Sequence, residues 1–373
     1  MTGREKIIAA FATGGTPEIG VVASYEGIFI RDHYAALTSI PWWDSINIPL
    51  MAKDFFNTSG LEWFAVAPCA SREARSRQRH ERRTDGIWVI DQKTGNETRL
   101  REPTPGGINS TCATSRHTDA DALPTTRAEI DALIPLNPVF DRSRFLSEGR
   151  HDVAFEVRAA VDLLLYSHIS SPLWSLYDLF GYEGMMILMA QAHELAAYAV
   201  QRILQNVLQH ISMISALGAD AVWIEECLTD QISPDLFRRI NVPILRRCVE
   251  EIRAQGMKSI YYYCGDPWGR LDAILDVGAD AIHFEEGKKG FTINIEDIVK
   301  AVGKRCVVFG NLDVIRVLQD GSEDELRAEI HRQLKAGREN GNRFILSTGS
   351  PITPATSVEK VRRYTDIVRE SAR

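Results

Sequence analysis

Residues 258–266 read KSIYYYCGD, a run of β-branched and aromatic residues that stops at a thiol, a glycine and a carboxylate. Cys264 there could serve as a thiolate ligand or nucleophile, or simply as a small buried hydrophobe, and Asp266 as a polar group at the rim of a crevice. Four other apolar runs end in the same manner. Residues 219–226 (ADAVWIEE) and 279–286 (ADAIHFEE) end in paired carboxylates, 305–313 (RCVVFGNLD) in Asn311 and Asp313, and 342–350 (NRFILSTGS) in Ser347, Thr348, Gly349 and Ser350. Neighbours on a strand point to opposite faces, so only one of Glu225 and Glu226 can look into a common mouth. That residue is a general base, a substrate contact or a metal contact, its partner a solvated or salt-bridged group. Glu285 and Glu286 pose the same choice. His283, two residues before Glu285, shares its face and reads either as a ligand or as a satisfied core histidine. Gly310 lets the backbone near Asn311 come close to a ligand, and the hydroxyls and N–H groups of 347–350 suit an anion or act as plain loop caps.

Apolar runs with this punctuation are buried parallel strands, and polar residues at their carboxyl ends are where α/β folds place chemistry. Helical stretches lie between them. Ser233-Pro-Asp is a helix start with Ser as cap and Pro at the first position, and the helix predicted from 322 opens on SEDE. Strand–helix units repeated at least five times, with no Rossmann-type glycine fingerprint, predict a (β/α)8 barrel, with an open doubly wound sheet as the alternative. Further towards the N-terminus the spacing predicts a helix over 4–12, a strand over 19–25 with Glu26 just past its end, and a strand over 61–68. An aromatic cluster, PWWD, lies at 41–44. Residues 153–167 read equally as helix or strand, and 187–217 as helix in two pieces. Thr-Gly-Asn at 94–96 centres a β-hairpin over 85–102, and the Pro/Gly/Ser/Thr-rich residues 103–122 form a long loop. Residues 1–373 are thus expected to be one barrel domain with an N-terminal elaboration.

The 373 residues, 45% hydrophobic and 25% charged, suffice for a sizeable core. A net charge of −7 without a large basic block disfavours nucleic acid as a partner. The locally basic 71–83 (SREARSRQRHERR) reads as a solvated helix face or an anion-contacting loop. No apolar run is long enough to span a membrane, and the opening MTGREKIIAAF is an amphipathic helix pattern without a signal-peptide core. Six scattered cysteines without CxxC pairs predict reduced thiols in a cytoplasm.

GADAVWIEE, ISPDLF, YYYCGD, VGADAIHFEE, VVFGNLD and ILSTGSPITPATSVEKV, in this order, resemble the uroporphyrinogen decarboxylase superfamily over roughly residues 180–373. The resemblance implies a (β/α)8 barrel. True decarboxylases of that superfamily carry a PVWxMRQAGR-like segment whose arginines grip substrate carboxylates, and residues 21–34 (VVASYEGIFIRDHY) lack it. The corrinoid-linked methyltransferase branch is the nearer match. Its members hold zinc through a His-x-Cys pair and a second Cys in the final strand loop. Here Cys264 falls on the first Cys, Tyr262 on the His and Ser350 on the second Cys, so two of three ligands are missing and any zinc would rest on Cys264 with help from Glu226, His283 or Glu285. The resemblance therefore implies a one-carbon transferase moving a methyl group between a small substrate and a corrinoid (methylcobalamin) or tetrahydrofolate carrier. Glu226, Tyr262 or Asp266 would be its acid. Glu26, His283, Glu285, Asn311, Asp313, Ser347, Thr348 and Ser350 would line the substrate and cofactor site. A corrinoid protein and a homodimer are the expected associations. The alternatives are a metal-independent decarboxylase of a cyclic or aromatic acid and a non-catalytic barrel subunit.

Overall fold

A computed structural model describes residues 1–107, 123–287 and 290–371. Most of the loop read at 103–122 lies outside the described residues, as do Lys288 and Lys289. Eight strands form one parallel sheet: β1 (Gly20–Val21), β2 (Trp63–Ala65), β6 (Leu164–Ser170), β7 (Ala221–Cys227), β8 (Lys258–Cys264), β9 (Ala281–Phe284), β10 (Val307–Phe309) and β11 (Phe344–Leu346). Their order is β1-β11-β10-β9-β8-β7-β6-β2, and every pairing is parallel. The curl of the sheet brings its two ends together. The Glu62 N–H donates to Val21 O at 2.9 Å, and the Trp63 indole N–H donates to Ala23 O at 2.9 Å. The architecture is a (β/α)8 barrel.

Parallel strands covered on both faces need apolar side chains on both, which is why β8 is buried along its whole central stretch. The outward residues join the helical layer. The inward ones form a second core that includes Trp63, Tyr166, Trp223, Tyr262, Phe309 and Ile345. Helix Gly3–Ala10 closes the amino-terminal end of the barrel by inserting Ile7 and Ala10 into this inner core. Gly20 permits that approach, since a Cβ there would lie 2.6 Å from Ile7 Cγ1. The outer helices start where the sequence places caps: Ser233, Ser322 and Ser357 each accept a hydrogen bond from a backbone N–H of the first turn.

The ambiguous 153–167 resolves into the end of helix Asp152–Ala160 and the start of β6. Residues 85–102 hold β4 (Gly86–Asp91) and β5 (Glu97–Arg99), joined by β3 (Gln78–Arg83) in a three-stranded antiparallel sheet. The basic 71–83 is therefore half helix (Arg72–Arg77) and half strand, because β3 finds a ladder partner in β4 that a local reading does not supply. The first barrel strand is only two residues long. Beyond it the chain hooks onto β11: Ser24 N–H donates to Thr348 Oγ1 at 2.9 Å and Ser24 Oγ to Thr348 O at 2.6 Å.

Candidate active site

The carboxyl end of the barrel is organised by a single carboxylate, and it is Glu225. Trp223 faces the barrel interior, so the two-residue period of β7 sends Glu225 and Cys227 to the same side and Glu226 to the other. Glu225 Oε1 accepts the Tyr25 hydroxyl, and Oε2 pairs with His168 Nε2 at 2.7 Å. Cys227 Sγ lies 3.6 Å from Oε1. Three strand ends thus converge on one group: Tyr25 follows β1, His168 sits in β6, and Glu225 sits in β7. Burial pushes the Glu225 carboxyl up, but the bonds from His168, Tyr25 and Cys227 outweigh it and hold the group below its ordinary value. Burial, with Tyr262 and Glu225 alongside, drives the Tyr25 phenol well above its usual range, so it stays protonated. The His168 side chain is 39% exposed and Glu225 15%, so solvent reaches the pair.

Tyr25 reaches this position through a strained turn that the surrounding packing holds. Its φ of 53° and ψ of 45° are left-handed, which costs a non-glycine residue on the order of 1 kcal/mol. That turn throws the ring inward, where it packs edge-on against Trp223 at 4.7 Å between centroids, and it starts helix Glu26–Asp32. Leu228, directly after β7, is also left-handed (φ 61°). Beneath the mouth lies an aromatic floor. Trp63 stacks on Tyr166 at 4.3 Å, Trp223 meets Tyr262 at 4.9 Å, and His283 stacks on Phe309 at 5.3 Å. Each such pair adds roughly 0.5–1.5 kcal/mol beyond burial and keeps the floor rigid.

The residues singled out from sequence divide. Glu226 is turned away from the mouth, which corrects its assignment there. It is fully buried between barrel and helices, accepting bonds from Ser171 Oγ at 2.8 Å and Asn241 Nδ2 at 2.6 Å, and burial raises its carboxyl to about 7. Tyr262 lies in the floor with its hydroxyl committed to Gly349 O at 2.9 Å. Asp266 caps its own loop by accepting the Trp268 N–H at 2.9 Å, and Asp313 does the same for Ile315 and Arg316. Glu26 accepts the Ala65 N–H at 2.7 Å and the Tyr166 hydroxyl, and burial raises it to about 7. His283 is a core residue: its Nε2 bonds Thr348 O at 3.1 Å, and burial lowers it to about 3. Asn311 holds Ile293 O at 2.9 Å. The hydroxyls of Ser347 and Thr348 are spent on the carbonyls of Thr348 and Ser350, both at 3.0 Å, and Ser350 is itself buried, so this loop has little left to offer an anion. Of the expected set, Cys264 and Glu285 remain with the mouth, 3.3 Å apart from Sγ to Oε2.

Cys264 is also the register partner of Cys227 on the neighbouring strand, and the hydrogen bond between the thiols, ahead of burial, holds Cys227 well above its usual range. Zinc does not fit this arrangement. Among the described residues no three His, Cys, Asp or Glu side chains come together to hold a metal ion, and Tyr262, which stands at the expected histidine position, is tied to Gly349. Tyr25 and His168 are the residues that strand-end reasoning passed over, and of the Glu225–Glu226 pair left open there it is Glu225 that enters the mouth. The signal for His168 was its place in the ambiguous segment, two residues after the inward Tyr166.

The family model described as "Uroporphyrinogen decarboxylase (URO-D)" matches residues 113–371. The chain belongs to this family. Among curated members it resembles, the uroporphyrinogen decarboxylase of Solibacter usitatus is 28% identical over 156 residues, 42% of each chain. That of Myxococcus xanthus is 26% identical over 188 residues, 49% of this chain and 52% of the relative. The chain thus spans about half the length of the curated relatives it matches. Among solved structures, a methyltransferase from Methanosarcina mazei superposes with a TM-score of 0.66 at 18% identity, covering 100% of this chain and 99% of the other, a likeness of fold. No helix among the described residues is long and apolar enough to cross a membrane.

Proposed function

We propose that this member of the uroporphyrinogen decarboxylase family is a one-carbon transferase that moves a methyl group between a small neutral or cationic substrate and a carrier. The observation that carries the reading is the Tyr25–Glu225–His168 cluster, a solvent-reachable acid–base group at the barrel mouth. In demethylation the bond between the methyl carbon and its heteroatom breaks, and the heteroatom must take up a proton as it leaves. Glu225, held ionised, anchors the His168 ring through Nε2, and the imidazole is the group that can hand a proton to the leaving atom. Tyr25 keeps Glu225 oriented and remains protonated throughout. A corrinoid or tetrahydrofolate carrier, when bound, supplies the partner that receives or donates the methyl group. The fold shared with the methyltransferase from Methanosarcina mazei supports the same reading.

Decarboxylation is the second reading, favoured by the names of the curated relatives. Against it, the described mouth presents the carboxylates of Glu225 and Glu285, which repel a polycarboxylate. The deciding experiment is mass balance. The protein is incubated with methoxyaromatic or methylamine donors plus reduced corrinoid protein or tetrahydrofolate, and separately with tetrapyrrole and aromatic acids. Methylated carrier is the expected product. Carbon dioxide release from an acid, with no carrier methylated, would establish the second reading instead.

A further inference from the structure

A second cavity, of about 690 Å³, opens between the β3–β5 sheet and the Trp42–Trp43 turn. The turn follows β1 and the sheet follows β2, so both belong to loops leaving the carboxyl ends of barrel strands. None of the lining residues is a mouth residue. Arg82, Arg83, Arg99 and Arg101 line it together with Trp42 and Trp43. The two indoles meet edge to face at 5.5 Å, and the Arg82 guanidinium lies 5.3 Å from the centroid of Trp43.

The pairing of the arginines singles out this cavity. Elsewhere in the same insertion Arg72 and Arg75 hold Asp152, Arg77 holds Glu73, and Arg79 holds Glu81. Arg83 is committed to Glu81 and Glu97. The side chains of Arg82, Arg99 and Arg101 form no ion pair or hydrogen bond among the described residues, and all three line the one cavity. Two carboxylates share the lining, Asp85 and Glu102, against four arginines, and Asp85 is engaged by the Trp88 indole N–H at 2.9 Å. Guanidinium forks outside any ion pair, beside half-buried indoles, suit one kind of ligand. The forks take the oxygens of phosphates or carboxylates bidentately, and the indoles take a flat ring.

We propose that this cavity binds an anion with two or more negative charges carried on a flat, π-rich body. The site rests on these arginines and indoles and not on the methyl-transfer reading, and it is tested without turnover. Two probes separate the sources of charge: ADP for phosphates and 4-aminobenzoyl-glutamate for carboxylates. Binding is followed by calorimetry and by tryptophan fluorescence on the full chain. Saturable binding of at least one probe is expected, weakening with salt, weakened about tenfold by Arg101→Gln and further by Arg82→Gln. Arg79→Gln, paired outside the cavity, should leave it unchanged, as should Glu225→Gln at the mouth. Binding of ADP alone assigns a phosphate site, and binding of the glutamate amide alone a carboxylate site. Absence of saturable binding with both, or binding indifferent to Arg82→Gln and Arg101→Gln in variants with unchanged circular dichroism, overturns the proposal.

Discussion

The Tyr25 hydroxyl donates to Glu225 across 200 positions of sequence, from the loop after the first barrel strand to the end of the fourth. It occupies one carboxylate oxygen, and His168 takes the other. Removing the charge while keeping the shape should therefore disable the site without unfolding it. Glu225→Gln is expected to lower kcat by about 10²-fold or more, with Tm nearly unchanged. Tyr25→Phe should lose less. The double variant should be no worse than Glu225→Gln alone, since both act through one carboxylate. Strictly additive losses would mean that Tyr25 works independently of Glu225.

Glu226, next in the chain, should behave oppositely. Its carboxyl, fully buried and raised from 4.5 to about 7, keeps a proton in the folded state that the unfolded chain has already released. Between these values the folded state binds more protons, so stability falls as pH rises from about 4.5 to about 7 and then levels. The share of Glu226 in that fall is roughly 3 kcal/mol. Glu26, raised to about 7 by the same cause, adds a fall of the same sign. Glu226→Gln should flatten the pH dependence of unfolding and raise stability at pH 8, with turnover within about threefold of the parent. An unchanged slope in denaturant titrations at pH 5 and pH 8 would show that Glu226 is ionised in the fold.

Gly349 meets the chain just past β9 too closely for any side chain. A Cβ there would sit 2.3 Å from the Glu286 backbone nitrogen, and the Gly349 carbonyl accepts the Tyr262 hydroxyl. Gly349→Ala should cost about 1–3 kcal/mol by overpacking and should shift the aromatic floor with it. Near-ultraviolet circular dichroism and thermal melting would register both. Wild-type stability in this variant would mean that the final loop yields freely.

Chelation should leave the activity intact. Cys264 is hydrogen-bonded to Glu285 and paired with Cys227, and among the described residues no three ligand side chains are placed to hold a metal ion. Dialysis against a strong chelator is expected to keep activity within about twofold of the untreated protein, because a closed zinc site needs three or four protein ligands. Loss of activity restored by zinc, and lost again in Cys264→Ser, would require the two thiols and a carboxylate to rearrange around a metal.

The Cys227 thiol offers a chemical readout of the same geometry. Its bond with Cys264 and its burial hold it well above the usual thiol range, so little thiolate exists near pH 8. Alkylation of Cys227 by iodoacetamide, followed by peptide mass spectrometry, should be slower than that of a free cysteine peptide. Cys264→Ala should change that rate. Fast, unaltered labelling would mean that the thiols do not touch.

The repeating strands and their capped helices were legible in the residues themselves. Runs such as IYYY and AVWI can only be buried, and Ser-Pro-Asp or Ser-Glu-Asp-Glu can only begin a helix, so the barrel and its chemically active end followed from local physics. Local physics also required that Glu225 and Glu226 part company. Which of them entered the barrel depended on closure: once Trp223 is packed among Trp63, Tyr166 and Tyr262, parity puts Glu225 inside. Tyr25 needed a left-handed turn that no propensity favours and that only the surrounding packing can hold. The meeting of Tyr25, His168 and Glu225 joins three strands distant in sequence, and side chains that find one another only when a sheet closes leave no spacing to read.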